Sequence, residues 1–179
     1  MHRTLASGSV AVAVALAGGC GGDEPAFDPG VPDLAYCQPV AGFTSTALED
    51  EIVVIVNQRR AAGATCGGEA KPPVPALTVA PALRCAARVH SLDMVDRGYF
   101  DHTNPEGEAP WDRMVKAGYA WSTAGENIAA GNRTAAATMD QWMNSPGHCA
   151  NIMNGDFVDI GVGHVEAGAM WTQVFGAPR

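Results

Sequence analysis

FVDIGVGHVEAGAMWTQVF, residues 157–175, decides the fold class. Phe157 to Val165 and Ala169 to Phe175 alternate apolar and small side chains, the period of two that paired strands show. The segments upstream keep a different period. From Thr46 to Ala62 apolar residues recur at helical spacing: Leu48, Ile52, Ile55 and Val56. Glu49, Asp50 and Glu51 crowd the first turn, Arg59 and Arg60 the last, and Gly63 stops the helix. A second helix is expected from about Pro81 to Arg97, with Leu83, Ala87, Val89 or His90, and Met94 facing inward and Gly98 as its cap. Pro110 opens a short third helix, Trp111 to Ala117, and Thr134 caps a fourth that runs through Trp142. Residues 64–78 read as a Pro/Gly-rich loop, and Tyr99 to Glu108 as a turn-rich polar segment. Helices first and an antiparallel sheet later predict an α+β domain with helices packed on the sheet.

Composition narrows the class of partner. Hydrophobic residues are 47% of the 179 and charged residues 17%, so the chain has the means to bury a core. The formal charge is −8, and Arg3 is the only charged residue before Cys20. Losing that segment removes one of 11 basic side chains against 19 acidic ones and leaves −9. Such a chain has no basic patch to neutralise phosphates, which argues against nucleic acid and against attraction to anionic lipid. The beginning reads as an export signal: Met1-His2-Arg3, then an apolar run from Val10 to Ala17 too short to span a bilayer. Leu16-Ala17-Gly18-Gly19-Cys20 resembles the lipobox of bacterial lipoproteins, with Ala17 standing where such signals usually carry Leu. Residues 1–19 are therefore expected to be a signal peptide and Cys20 a lipidation site. Residues 20–44, rich in Gly, Pro and Asp, follow as a tether, and 45–179 form the domain. The chain would then be exported and membrane-anchored, at the cell surface or in the periplasm, touching the membrane only through lipid.

Export permits disulfides, and Cys37, Cys66, Cys85 and Cys149 are even in number without the spacing of a zinc ribbon or a CxxC pair. Four cysteines allow three pairings. The expected set is Cys66–Cys149, fastening the loop after the first helix beside His148, with Cys37–Cys85 pinning the tether to the second helix.

Three segments present an ionisable group with little propensity reason to do so: Phe100-Asp101-His102-Thr103-Asn104-Pro105, Gly125-Glu126-Asn127-Ile128, and Ser145-Pro146-Gly147-His148-Cys149-Ala150-Asn151-Ile152-Met153. They read as turns or loops, where functional groups concentrate. Their order, with the helix carrying His90 and Met94 before and Trp171-Thr172-Gln173 after, resembles the CAP superfamily of cysteine-rich secretory, antigen 5 and pathogenesis-related proteins, and its bacterial SCP-like extracellular members in particular. The resemblance covers roughly Leu48 to Phe175. It implies an α–β–α sandwich with a large cleft holding two His and two acidic residues, which in some members bind zinc or another divalent cation. Carried over by motif, His102 and His148 are the implied metal ligands and Glu126 the cleft acid. The second acid would stand three residues after Trp142, where this chain has Ser145. His90 and His164 read as structural, and Trp111, Trp142 and Trp171 as core or cleft wall.

Three functions remain open at this level. The first is a non-enzymatic binding module for a lipid, sterol, small-molecule or protein ligand. The second is a metal-dependent hydrolase or protease in which His102 and His148 hold an ion and Glu126 is the general base. The third is a structural protein of the cell envelope. Binding ranks first, because Ser145 removes a carboxylate that a two-acid mechanism needs.

Overall fold

The computed structural model describes residues 34–40 and 46–179. The expected signal peptide, Cys20 and most of the expected tether lie outside the described residues.

A short helix, α1 (Leu34–Cys37), precedes α2 (Ala47–Ala62). Thr46 caps α2 reciprocally with Glu49: Thr46 Oγ1 accepts from the Glu49 amide at 3.2 Å, and the Thr46 amide donates to Glu49 Oε2 at 3.0 Å. Residues 64–78, expected as loop, contain a small hairpin, β1 (Ala64–Cys66) with β2 (Glu69–Lys71), and the two-residue strand β3 (Thr78–Val79). Then come α3 (Pro81–Arg97), α4 (Pro110–Lys116), β4 (Trp121–Ala130), α5 (Ala135–Asn144), α6 (Pro146–Ile152), β5 (Asp159–Val165) and β6 (Met170–Pro178). The α+β expectation holds.

The main sheet runs β3-β5-β6-β4. The β5–β6 and β6–β4 pairs are antiparallel, as expected, but the edge pair β3–β5 is parallel, so the sheet is mixed. The larger correction concerns Gly125-Glu126-Asn127-Ile128. It is no turn but the middle of the ten-residue strand β4, with Glu126 opposite Val174 of β6. Small and polar residues in WSTAGENIAA give a weak local strand signal; the ladder to β6 supplies what propensity does not.

The sheet has helices on both faces. Ile52 and Val56 of α2, Met139 and Trp142 of α5 and Ile152 of α6 pack on Ile160, Val162, Trp171 and Phe175. Leu83 and Ala87 of α3 and Met114 of α4 cover the other face around Val174. The small residues alternating along β5 have a reason here. A Cβ on Gly161 would lie 2.1 Å from the Leu83 carbonyl carbon, and one on Gly163 only 2.4 Å from that of Ala87. The bare strand lets the α3 backbone rest directly on the sheet.

Disulfides join Cys37 to Cys85 and Cys66 to Cys149, the expected pairing. Two buried charges also tie elements together. Arg60, in the last turn of α2, donates to the carbonyls of Pro75, Ile152, Asn154 and Phe157. Glu49 takes a two-pronged bond from Arg88 of α3, at 3.0 and 2.6 Å, and accepts from the His164 amide at 3.1 Å. Both residues sit where the sequence pattern showed only a match to the helix dipole, and both are buried.

Candidate functional site

Strand alternation sends Asn127 and Ala129 of β4 toward the α2, α5 and α6 side, and Glu126 and Ile128 toward α3. Glu126 is 7% exposed, and its carboxylate is divided between two donors. Arg113 of α4 donates from Nη2 to Oε2 at 2.8 Å, and His102 reaches Oε1 from Nδ1 at 2.8 Å. A carboxylate only accepts, so Nδ1 of His102 carries the hydrogen, and neutral His102 keeps its lone pair on Nε2. The bond to Glu126 raises the pKa of His102 above the usual imidazole value, against the opposing effect of partial burial.

Arg113 is the residue that the motif reading missed. It is 2% exposed, and besides Glu126 it donates to the carbonyls of His102 at 2.8 Å and Glu108 at 3.0 Å. One guanidinium thus fixes the loop that carries His102 and the acid that orients it. The signal was available: Arg113 falls on the inward stripe of α4, three residues after Pro110 and four before Ala117, where a charge has no business without a partner.

His90 is a satisfied core residue, as expected. Its Nε2–H donates to the Asp101 carbonyl at 3.0 Å, and burial pushes its pKa down to about 4. Its approach to Glu126, 3.8 Å, is therefore contact with a neutral ring rather than an ion pair. Asp101, not His102, caps the local turn by accepting from the Thr103 amide at 2.8 Å. His164 stacks on Trp171 with ring centroids 4.0 Å apart.

His148 arrives from the opposite face, on α6. Its carbonyl accepts from Asn127 at 3.2 Å, and Asn151 of the same helix donates to the Glu126 carbonyl at 3.2 Å and to Asn127 Oδ1 at 2.9 Å. Asparagine 127 and 151 thus clamp α6 to the edge strand. The His148 ring lies close enough to His102 that a charge there lowers its pKa, in addition to the larger effect of burial, and its Nδ1 is buried without a hydrogen-bond partner. His102, Thr103, Ala109, Pro110, Trp111 and Glu126 line a cavity of about 340 Å3. His148 is not part of that lining. Among the described residues no group of three or more His, Cys, Asp or Glu side chains is arranged to hold a metal ion. An ion in this cleft would rest on His102 and His148 without a third protein ligand, which does not fit the three-ligand set usual for a catalytic zinc.

Residues 54–175 match the sequence profile of the cysteine-rich secretory protein family, CAP. The uncharacterized protein YkwD of Bacillus subtilis is 41% identical over 130 residues, covering 73% of this chain and 47% of that protein. The crystal structure of an extracellular SCP-domain protein from Bacillus anthracis superposes with a TM-score of 0.63 at 30% identity, over 72% of this chain and 39% of that one. An outer surface protein of Borrelia burgdorferi superposes with a TM-score of 0.65 at 18% identity, over 76% of this chain and 97% of that one, a likeness of fold. The chain thus spans about half of its curated relative or less.

Proposed function

Because the chain belongs to the cysteine-rich secretory protein family, we propose that it is an exported binding module whose ligand sits over the His102–Glu126 pair. The observation that carries this reading is the commitment of Glu126 to Arg113 and His102 through both of its oxygens. A general base needs a carboxylate oxygen free to take a proton from water, and neither oxygen of Glu126 stands free of a donor. The same two bonds hold His102 in one tautomer and one orientation, which is what a preformed recognition group requires. Ser145 in the place of a second acid points the same way. The hydrolase alternative would have to use His102 Nε2 as its base, and no described contact supplies it with a nucleophile.

Passing envelope extracts over the immobilised protein and identifying the retained molecules by mass spectrometry tests the proposal. Wild type should retain a ligand that His102→Ala loses. Hydrolysis of peptide or ester substrates by wild type, abolished in His102→Ala, would replace this reading with the hydrolase. Export and anchoring belong to the same proposal: among the described residues no helix is long and apolar enough to cross a membrane, and Cys20 is the proposed lipid attachment point. Cys20→Ser should move the protein from the membrane to the soluble fraction; a wild type already soluble would contradict lipidation.

A further inference from the structure

Trp111 stands out among the side chains of this domain. It occupies the second position of α4, is 50% exposed, and lines the cavity above His102 and Glu126. Trp142 and Trp171 are fully buried by contrast, and each indole N–H finds a carbonyl, of Ile128 and Asn132 respectively. Half of a large indole left in water beside a polar cleft serves no packing purpose that the fold shows. We infer that the cleft binds an uncharged sugar ring, stacked on Trp111 with its hydroxyls toward His102 and Thr103. This rests on the binding-module reading and names the class of ligand for that site.

The lining is split by chemistry. Trp111, Pro110 and Ala109 offer an apolar wall, and His102 and Thr103 offer donors and acceptors, with Glu126 behind them holding His102. A pyranose with equatorial hydroxyls has that same division: a flat C–H face and a rim that both donates and accepts. Nε2 of neutral His102 accepts from a hydroxyl, and the Thr103 side chain can do either. A lipid chain or sterol would leave those polar groups desolvated and unpaired, at a cost set by each lost bond. The cavity, about 340 Å3, lies at the low end of the roughly 300–1,000 Å3 of small-molecule sites, room for one or two rings rather than a long chain. Nothing selects an anionic glycan. Arg113 is already paired with Glu126, and the chain as a whole carries −8.

Isothermal calorimetry with β-1,4-linked N-acetylglucosamine and glucose oligomers tests this, with a sulfated heparin oligomer as the charged comparison. Wild type should bind a neutral oligomer, and Trp111→Ala should weaken it by about tenfold or more, since stacking contributes beyond buried area. Trp111→Phe should recover part of the affinity. An exposed residue can be replaced with little effect on folding, so an unchanged melting temperature in Trp111→Ala assigns the loss to the ligand. Failure of wild type to bind either neutral oligomer overturns the inference, as does equal binding by Trp111→Ala or preference for heparin. If wild type instead captures a lipid or peptide that His102→Ala loses, the sugar falls while the binding module stands. If it hydrolyses its substrate, the module reading falls first.

Discussion

Glu126, Arg113 and His102 form a unit in which each member fixes another. Arg113 is taken out of water and matched by one carboxylate and two carbonyls, so it meets the condition under which a buried charge is tolerated. His102 is oriented from behind, leaving its other nitrogen for the cleft. The imidazoles around this unit respond to acid in opposite senses. His102 has a raised pKa, so the stability it contributes is complete below about 6.5 and is lost as pH rises through its folded value. His90 has a pKa lowered to about 4, so the unfolded chain takes up a proton first, and stability falls as pH drops from about 6.5 to about 4. Burial shifts His148 and His164 in the same downward direction. We predict that stability measured by denaturant declines across that window. His90→Gln should reduce the slope by about one proton; an unchanged slope would show that His90 is not held neutral. At this scale the motifs found His102 and Glu126 because rare residues in fixed order carry their own signal. Arg113 was overlooked because, read alone, an Arg near a helix end is the commonest of surface residues.

The elements owe their placement to backbone contact as much as to apolar periodicity. Gly161 and Gly163 let α3 lie on β5, and that contact carries His90 beneath Glu126 and fixes where the His102 loop begins. Gly163→Ala must push the helix off the sheet or distort the strand. It should cost about 1–3 kcal/mol or more, read as a fall in melting temperature. An unchanged melting temperature would mean that the close approach is not what holds α3. Helices α2 to α5 and the β5–β6 pair were legible because their periods or end signals are local, as with Thr46, Gly98 and Thr134; α1 and α6 fell in segments read as tether and as turn or loop. The strand β4 was not legible. Its side chains are mostly small or polar, and its register is set by β6, whose partner residues lie 40 to 57 positions further along the chain, so no local window of sequence contains the cause. The hairpin β1–β2 did carry a local signal, the Gly67-Gly68 pair whose positive φ values make its two-residue turn, but strands of three residues are too short to show a period.

At the scale of the whole molecule the cleft is an assembly at the open edge of the sheet. The edge strand β4 supplies the acid, the loop and short helix after α3 supply His102, Trp111 and Arg113 from one face, and α6 brings His148 from the other, clamped by Asn127 and Asn151. Two disulfides, spanning 48 and 83 residues, tie α1 to α3 on one face of the sheet and the hairpin to α6 on the other. The bonds of Arg113 and Glu126 that hold the His102 loop suit a site that receives a ligand without rearranging. The central claim is that Glu126 orients and charges the ring of His102, and nitrogen-15 NMR of the histidine side chains across a pH titration tests it most directly. In wild type, His102 should titrate above the ordinary value near 6.5, and its neutral form should carry the hydrogen on Nδ1. In Glu126→Gln, with Arg113 still seen to hold the loop carbonyls, the same ring should fall back toward about 6.5. A His102 that titrates at the ordinary value in wild type, and does not move in Glu126→Gln, would contradict the account.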